Sequence, residues 1–415
     1  MTSSDDRYFP SFSAFIDSVH GARHDDYAVK PAARAEKSDA FDAMRAHILD
    51  LYEGVDVAHS FVDLNGQVFD CIPIEAQPSL RGSAEGPAAP PGDLPDAQDR
   101  GPGSATSIGP QLSSGRLDKY GHSMSCPPGT IAVRRVTLDE LTRNEDLSDF
   151  FRKVPIGVGR HPRLSPRPTI AANVHKWAHA SQGVANLGGH SALNVWDPAV
   201  GSQVFSLSQH WYAGGSPVQT AECGWQVYPA KYHTTLPVLF IYWTADGYQH
   251  TGNYNLDAPA FVQTNHNWAI GGTLSPSSVS GGQQQEIDMS FYLHGGNWWL
   301  YLGGGAAANA VGYYPASLYQ GGQMSRNATS IDYGGEVVDT TAWPPMGSGA
   351  YAAAGWQRAA YQRDVTYFTT SGGRSQASLT ANQPSANCFT CEVHHAAAPW
   401  NEYLYFGGPG GMGCS

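Results

Sequence analysis

The rhythm of apolar positions divides the chain in two. Phe12, Phe15, Ile16 and Val19 recur at helical spacing, as do Phe41, Met44, Ile48 and Leu51, so two helices are expected near the amino terminus. Residues 61–74 read as a hairpin, because Asn65-Gly66 suits a type I′ turn. A strand is expected over 130–136. Thr137 and Glu140 then form a capping-box pattern for a helix running to about Arg152. From about 171 the texture changes. Short runs rich in Trp, Tyr, Val and Phe (192–196, 204–211, 225–228, 236–243, 298–302, 334–338, 365–369 and 403–406) alternate with Gly, Asn and Pro. This predicts an all-β antiparallel sandwich or jelly roll, preceded by a small α+β domain.

Composition sharpens the division. Residues 82–110 hold six Gly and six Pro with almost no large apolar side chain, which predicts a flexible linker or exposed loop. The stretch 155–170, rich in Pro and Arg, reads as an exposed connector that a protease can cut. The net charge is −12. Residues 1–150 carry 24 acidic and 13 basic side chains, and residues 151–415 carry 12 and 11. An acidic chain is a poor match for nucleic acid or anionic membranes. No apolar run approaches the roughly 18 residues of a membrane-spanning helix. The start at Met1 lacks a signal-peptide pattern.

Charge is so sparse after Trp177 that each of the five glutamates there, 222, 286, 336, 392 and 402, draws scrutiny. On a strand, Glu222, Gly224, Gln226 and Tyr228 share one face, leaving Cys223, Trp225 and Val227 for the core. Glu336 follows Gly334 and Gly335, which would leave space beside it. Two carboxylates on one face can divide acid and base roles if their surroundings separate their pKa values. The plainer reading makes both structural. His175 and His179 are four apart and would share a metal on a helix, but the intervening residues lack a metalloprotease glutamate. Cys388 and Cys391 are a candidate disulfide pair, or a zinc site lacking its second cysteine pair. No metal or cofactor is expected.

In order along the chain, Leu193-Asn-Val-Trp-Asp-Pro198, Phe205-Ser-Leu-Ser-Gln-His-Trp211, Glu222-Cys-Gly-Trp-Gln-Val-Tyr-Pro229, Tyr242-Trp-Thr-Ala-Asp-Gly-Tyr-Gln-His-Thr-Gly252, Gly334-Gly-Glu-Val337, Met346-Gly-Ser-Gly349 and Gly407-Gly-Pro-Gly410 resemble the neprosin family. That family comprises glutamic, prolyl-specific endopeptidases with an activation propeptide. Phe69-Asp-Cys-Ile-Pro-Ile-Glu-Ala-Gln-Pro78 and Cys126-Pro-Pro-Gly-Thr-Ile-Ala-Val-Arg-Arg135 resemble its activation segment.

The resemblance implies a propeptide over 1–155, a connector with the maturation cleavage over 156–171, and a peptidase domain over 172–415. It implies that Glu222 and Glu336 are catalytic, and that an acid-acting zymogen cleaves after proline through an activated water. Gln226, Trp225 and Tyr242 are the expected substrate contacts. The propeptide would be an intramolecular inhibitor, the enzyme a monomer and its location outside the cell. By analogy Cys388 pairs with Cys414 and Cys71 with Cys126, leaving Cys223 a buried thiol. Two cysteines of plant relatives are replaced here by Asn253 and Ala258. A jelly-roll glycoside hydrolase and a carbohydrate-binding sandwich are the alternatives, since paired carboxylates in an aromatic cleft also suit sugars. The acidic amino-terminal third further suggests an acid switch. Neutralising its carboxylates would leave both parts positive and loosen the inhibitor.

Overall fold

The computed structural model describes residues 9–82, 86–95, 105–108, 112–113, 115–154 and 174–414. Helices α1 (Phe12–Gly21), α2 (His24–Ala28) and α3 (Ser38–Leu51) open the chain. The periodic residues Phe15, Val19, Phe41, Met44, Ile48 and Leu51 all face one buried cluster. Strands β1 (His59–Val62) and β2 (Val68–Pro73) form the expected hairpin. Its turn differs from expectation. Five residues separate Val62 from Val68, and the Asp63 carboxylate accepts from the backbone N–H groups of Asn65 and Gln67. Of the Asn65-Gly66 pair, only Gly66 takes a positive φ.

The segment β3 (Thr106–Ser107) precedes β4 (Thr130–Arg134), which pairs with β2. The helix expected to Arg152 is broken into α4 (Leu138–Leu141) and α5 (Leu147–Phe151). Thr137 does cap the backbone of Glu140. The glutamate does not complete the box, because both its oxygens bind Arg134 at 2.8 Å. The Asn144 side chain then takes the carbonyls of Glu140 and Leu141, which ends the helix.

The rest is mostly antiparallel β, with one large curled sheet. Its strands are β5 (His175–Asn194), β6 (Phe205–Gly214), β7 (Gln219–Val227), β8 (Val238–Thr244), β9 (Val262–Gln263), β10 (Gln285–His294), β11 (Asn297–Leu302), β12 (Ala310–Pro315) and β13 (Ala328–Val338). The short β14 (Ala342–Trp343) lies off the sheet, and β15 (Ala360–Thr369) joins it. The main path runs β8-β7-β6-β13-β5-β10-β11-β12-β9. The long β5 curls the sheet. Its first half pairs with β13 and its second half with β10 and β15. One face carries the main core, including Cys223, Trp225, Val227, Ile241 and Val337. The opposite face of β6, β7, β8 and β13 carries a second cluster that includes Phe205, Leu207, Phe240, Tyr242 and Val338.

Residues 82–110 depart from the flexible-linker expectation where they are described. Leu94 is buried among Trp299, Tyr301 and Tyr313, and its N–H bonds the Gly305 carbonyl at 2.8 Å. The Tyr313 hydroxyl accepts from the Ala88 N–H, and β3 adds in parallel to β10. One leucine and backbone hydrogen bonds suffice because β11 and β12 present aromatic rings that need cover. The connector expected over 156–171 lies outside the described residues.

The amino-terminal part packs on the β part through buried charge. Arg134 bonds Asp257 at 3.1 Å, and Lys231 lies 2.7 Å from the other oxygen of Asp257. Asp63 accepts from the N–H and hydroxyl of Thr273. Residues 153–154, at the end of the amino-terminal part, continue onto the second aromatic face, where Val154 is buried.

Candidate active site

Strand β6 lies between β7 and β13, so the site begins as a register problem. Trp211 stands opposite Glu222, and Leu207 stands opposite Glu336. The two glutamates thus converge diagonally across β6, on the face away from the main core. Between them runs the row Gly224, Gln209, Gly334 and His179. Both glutamates are buried, at 0% and 2% exposure.

The glycines beside Glu336 serve a purpose other than open space. A Cβ on Gly334 would lie 2.5 Å from the Ala178 carbonyl oxygen, and φ there is +146°. The nearest atoms to a Cβ on Gly335 would be side-chain atoms, of Met346 at 2.6 Å and Phe406 at 2.9 Å. Gly334→Ala should therefore be the more damaging change, by about 1–3 kcal/mol, because backbone must move. Thermal unfolding of the two variants checks this; equal melting temperatures would contradict it.

The amino-terminal part supplies a cation to the pair. Lys153 Nζ donates to Glu222 Oε2 at 2.7 Å and lies 3.0 Å from Glu336 Oε2, a close ion pair outside hydrogen-bond geometry. Its ammonium also faces the Trp211 and Tyr248 rings at 5.4 and 5.7 Å. Glu222 is further held by neutral donors. The Tyr248 and Thr220 hydroxyls donate to Oε1 at 2.6 and 2.8 Å, and Gln209 Nε2 donates to Oε2 at 3.1 Å. Glu336 Oε1 instead bonds His175 Nδ1, whose ring stacks on Trp177 at 5.3 Å.

These surroundings set the charge. Burial alone would raise the Glu336 carboxyl, but Lys153 and His175 outweigh it and hold the pKa down at about 2. Burial would likewise lower Lys153, but the two glutamates raise it above the usual lysine value. The ammonium is therefore a firm counter-charge for the carboxylate of Glu336 and lies at least as close to that of Glu222.

The other expected residues fall in different places. Tyr242 lies on the aromatic face, and its hydroxyl donates to the Phe151 carbonyl at 3.2 Å. Gln226 shares the Glu222 face, and its Nε2 donates to the Tyr254 hydroxyl at 3.2 Å. Trp225 must be withdrawn as a substrate contact. It points to the opposite side, fully buried in the main core, with its indole N–H on the Asn194 carbonyl. Strand alternation forces this, since its neighbours Gly224 and Gln226 face the cleft.

His175 and His179 lie on a strand rather than a helix. Each bonds its own carboxylate, Glu336 and Asp332, and the described residues form no metal-holding cluster. Cys71 is bonded to Cys126 and Cys388 to Cys414. Cys391, the other candidate partner of Cys388, is a buried free thiol, as is Cys223. Asn253 Nδ2 donates to the Ala258 carbonyl at 3.4 Å, so the two positions are neighbours.

Sequence reasoning missed Lys153, Gln209, Tyr248 and Tyr254. Alternation along β6 could have found Gln209, which is two residues from Trp211 on the same face. Nothing local marks Lys153, whose partners lie 69 and 183 residues further along the chain.

The neprosin family model matches residues 202–409, which contain both glutamates. Two solved structures of scytalido-glutamic peptidase, one with a transition-state analogue inhibitor and one with a peptide-based transition-state analogue, are similar in part. They share 9% and 11% identity, cover 57% of this chain and 98% of theirs, and give TM-scores of 0.31 and 0.33. At that level they carry no weight for the chemistry here. The family match spans half the chain, and the protein belongs to the neprosin family.

Proposed function

We propose that this protein is a glutamic endopeptidase made as a zymogen, with Glu222 and Glu336 as its catalytic pair. The observation that carries the reading is the meeting of two buried carboxylates around one ammonium from the amino-terminal part. With Lys153 in place one of the two negative charges is balanced and the position between the carboxylates, where an attacking water would sit, is filled. With Lys153 withdrawn, two carboxylates share one buried site, which favours retention of one proton between them.

The two environments support a division of roles. The bond from His175 favours the ionised form of Glu336, so Glu336 is the general base that takes a proton from water. Glu222, surrounded by neutral donors, receives the shared proton. It polarises the scissile carbonyl and then protonates the leaving amine. No covalent intermediate is needed, and the proton taken by Glu336 restores the pair. Cleavage after proline is the proposed preference; the aromatic faces of Trp211, Tyr242 and Tyr248 beside the pair suit a proline ring. Two disulfides favour an oxidising, extracellular location.

The proposal is tested by incubating the purified protein in acid, then assaying proline-containing peptides and polysaccharides. Peptide cleavage supports it, and sugar cleavage without peptide cleavage would transfer the site to glycoside hydrolysis. The assigned roles carry a pH signature. In His175→Gln the base loses a partner that holds its carboxyl low, so its pKa rises. The low-pH limb of kcat/KM should move up by about one unit or more. An unmoved limb would reassign the base.

A further inference from the structure

We infer that the hydroxyls of Tyr242 and Tyr254 form a substrate track that hydrogen-bonds two backbone carbonyls, two residues apart, of an extended peptide chain. The inference rests on the reading of Glu222 and Glu336 as a peptidase pair. It is drawn from how the amino-terminal part crosses the same face.

Tyr242 OH donates to the Phe151 carbonyl at 3.2 Å, and Tyr254 OH donates to the Lys153 carbonyl at 3.0 Å. Phe151 closes α5 and Arg152 after it is extended; in a fully extended substrate the carbonyls at i and i+2 point the same way, so a fixed pair of hydroxyls can read them whatever the side chains. The pair is built to stay fixed. Tyr242 and Tyr254 bridge through their backbones, their rings meet edge to face at 4.8 Å, and both are almost fully buried. Gln226 Nε2 donates to the Tyr254 hydroxyl, which orients its proton toward the cleft. Tyr248, stacked on Tyr242 at 6.1 Å, continues the row and places its hydroxyl on Glu222. The three hydroxyls therefore run from main-chain anchors to the catalytic pair.

Segment 151–154 uses this track without presenting a cleavable bond. Its carbonyls occupy the tyrosines, Val154 is buried in the cluster with Phe205, Leu207 and Tyr228, and the Lys153 ammonium takes the place between the glutamates. A substrate would take the same two anchors and put a carbonyl carbon where the ammonium lies. The ligand class is an extended peptide backbone, with anchoring independent of side-chain sequence.

The test is steady-state kinetics of acid-matured protein on one peptide, comparing wild type with Tyr242→Phe, Tyr254→Phe and Tyr248→Phe. Each change removes one hydroxyl and keeps the ring. The first two should raise KM roughly three- to tenfold, one hydrogen bond's worth, with kcat within about twofold. Tyr248→Phe should instead lower kcat. Melting temperatures near wild type would show that packing is intact. Unchanged KM in both anchor variants, with wild type active, would overturn the track while leaving the catalytic pair standing. A wild type that cleaves no peptide would overturn the pair and the track with it.

Discussion

Full-length protein carrying Lys153→Met should become active after far milder acid treatment than wild type. The Lys153 side chain is 8% exposed, and its partners Glu222 and Glu336 are 0% and 2% exposed. Removing one member of such a group leaves uncompensated charge in a buried site, at a cost of about 3–5 kcal/mol. Methionine keeps the length of the stem, so the loss isolates the ammonium. The docking equilibrium of the amino-terminal part should shift by at least about 10²-fold. Activation rates near pH 5 should rise at least about tenfold, read with a fluorogenic peptide. Rates equal to wild type would deny Lys153 its latching role.

The effect should fade in strong acid, and the sign follows from Glu336. Its carboxyl titrates near 2 in the folded protein against an ordinary 4.5. A depressed carboxyl stabilises the docked state fully above about 4.5, and that stabilisation is lost as pH falls through 2. Below that, wild type and Lys153→Met should converge. Asp257 adds a second latch of the same sign. Burial would raise it, but Lys231 and Arg134 outweigh burial and hold it low. Asp63 works the other way. Burial raises it despite its bonds to Thr273 and the Asn65 and Gln67 N–H groups, so protonation there favours the docked state as pH falls. The acid switch suggested by net charge is thus narrowed to specific carboxylates.

Strand alternation made one half of the site legible. The face shared by Glu222 and Gln226 follows from a period of two, as does the core position of Trp225 that excludes it from the cleft. What alternation cannot give is register between strands distant in sequence. The meeting of β7 and β13 across β6 depends on sheet order, and sequence spacing contains no trace of it. The helix expected over 137–152 failed for a similar reason. Its capping glutamate was claimed by Arg134, and Asn144 ended the turn. Composition alone predicts a linker or loop over 82–110, because it has no record of the aromatic rings on β11 and β12 that hold Leu94. His175 was noticed for its spacing to His179, but its partner Glu336 is 161 residues away.

The catalytic pair carries the second large effect. Replacing either glutamate by glutamine keeps shape and most hydrogen bonds but removes the titrating group. Under the proposed roles, loss of Glu336 removes the base that takes the proton from water, and loss of Glu222 removes the acid that serves the leaving amine. Loss of one positioned acid or base costs about 10²–10⁴-fold, and members of one unit do not add. Both variants also lose charge opposite Lys153, so their amino-terminal parts should release more readily in acid. This separates inactivity from failure to open. The decisive measurement is the initial rate of peptide hydrolysis by wild type, Glu222→Gln and Glu336→Gln, each matured by a tagged wild-type enzyme that is then removed. The account predicts a fall of about 10³-fold in both variants, and a rate within tenfold of wild type in either one would contradict it.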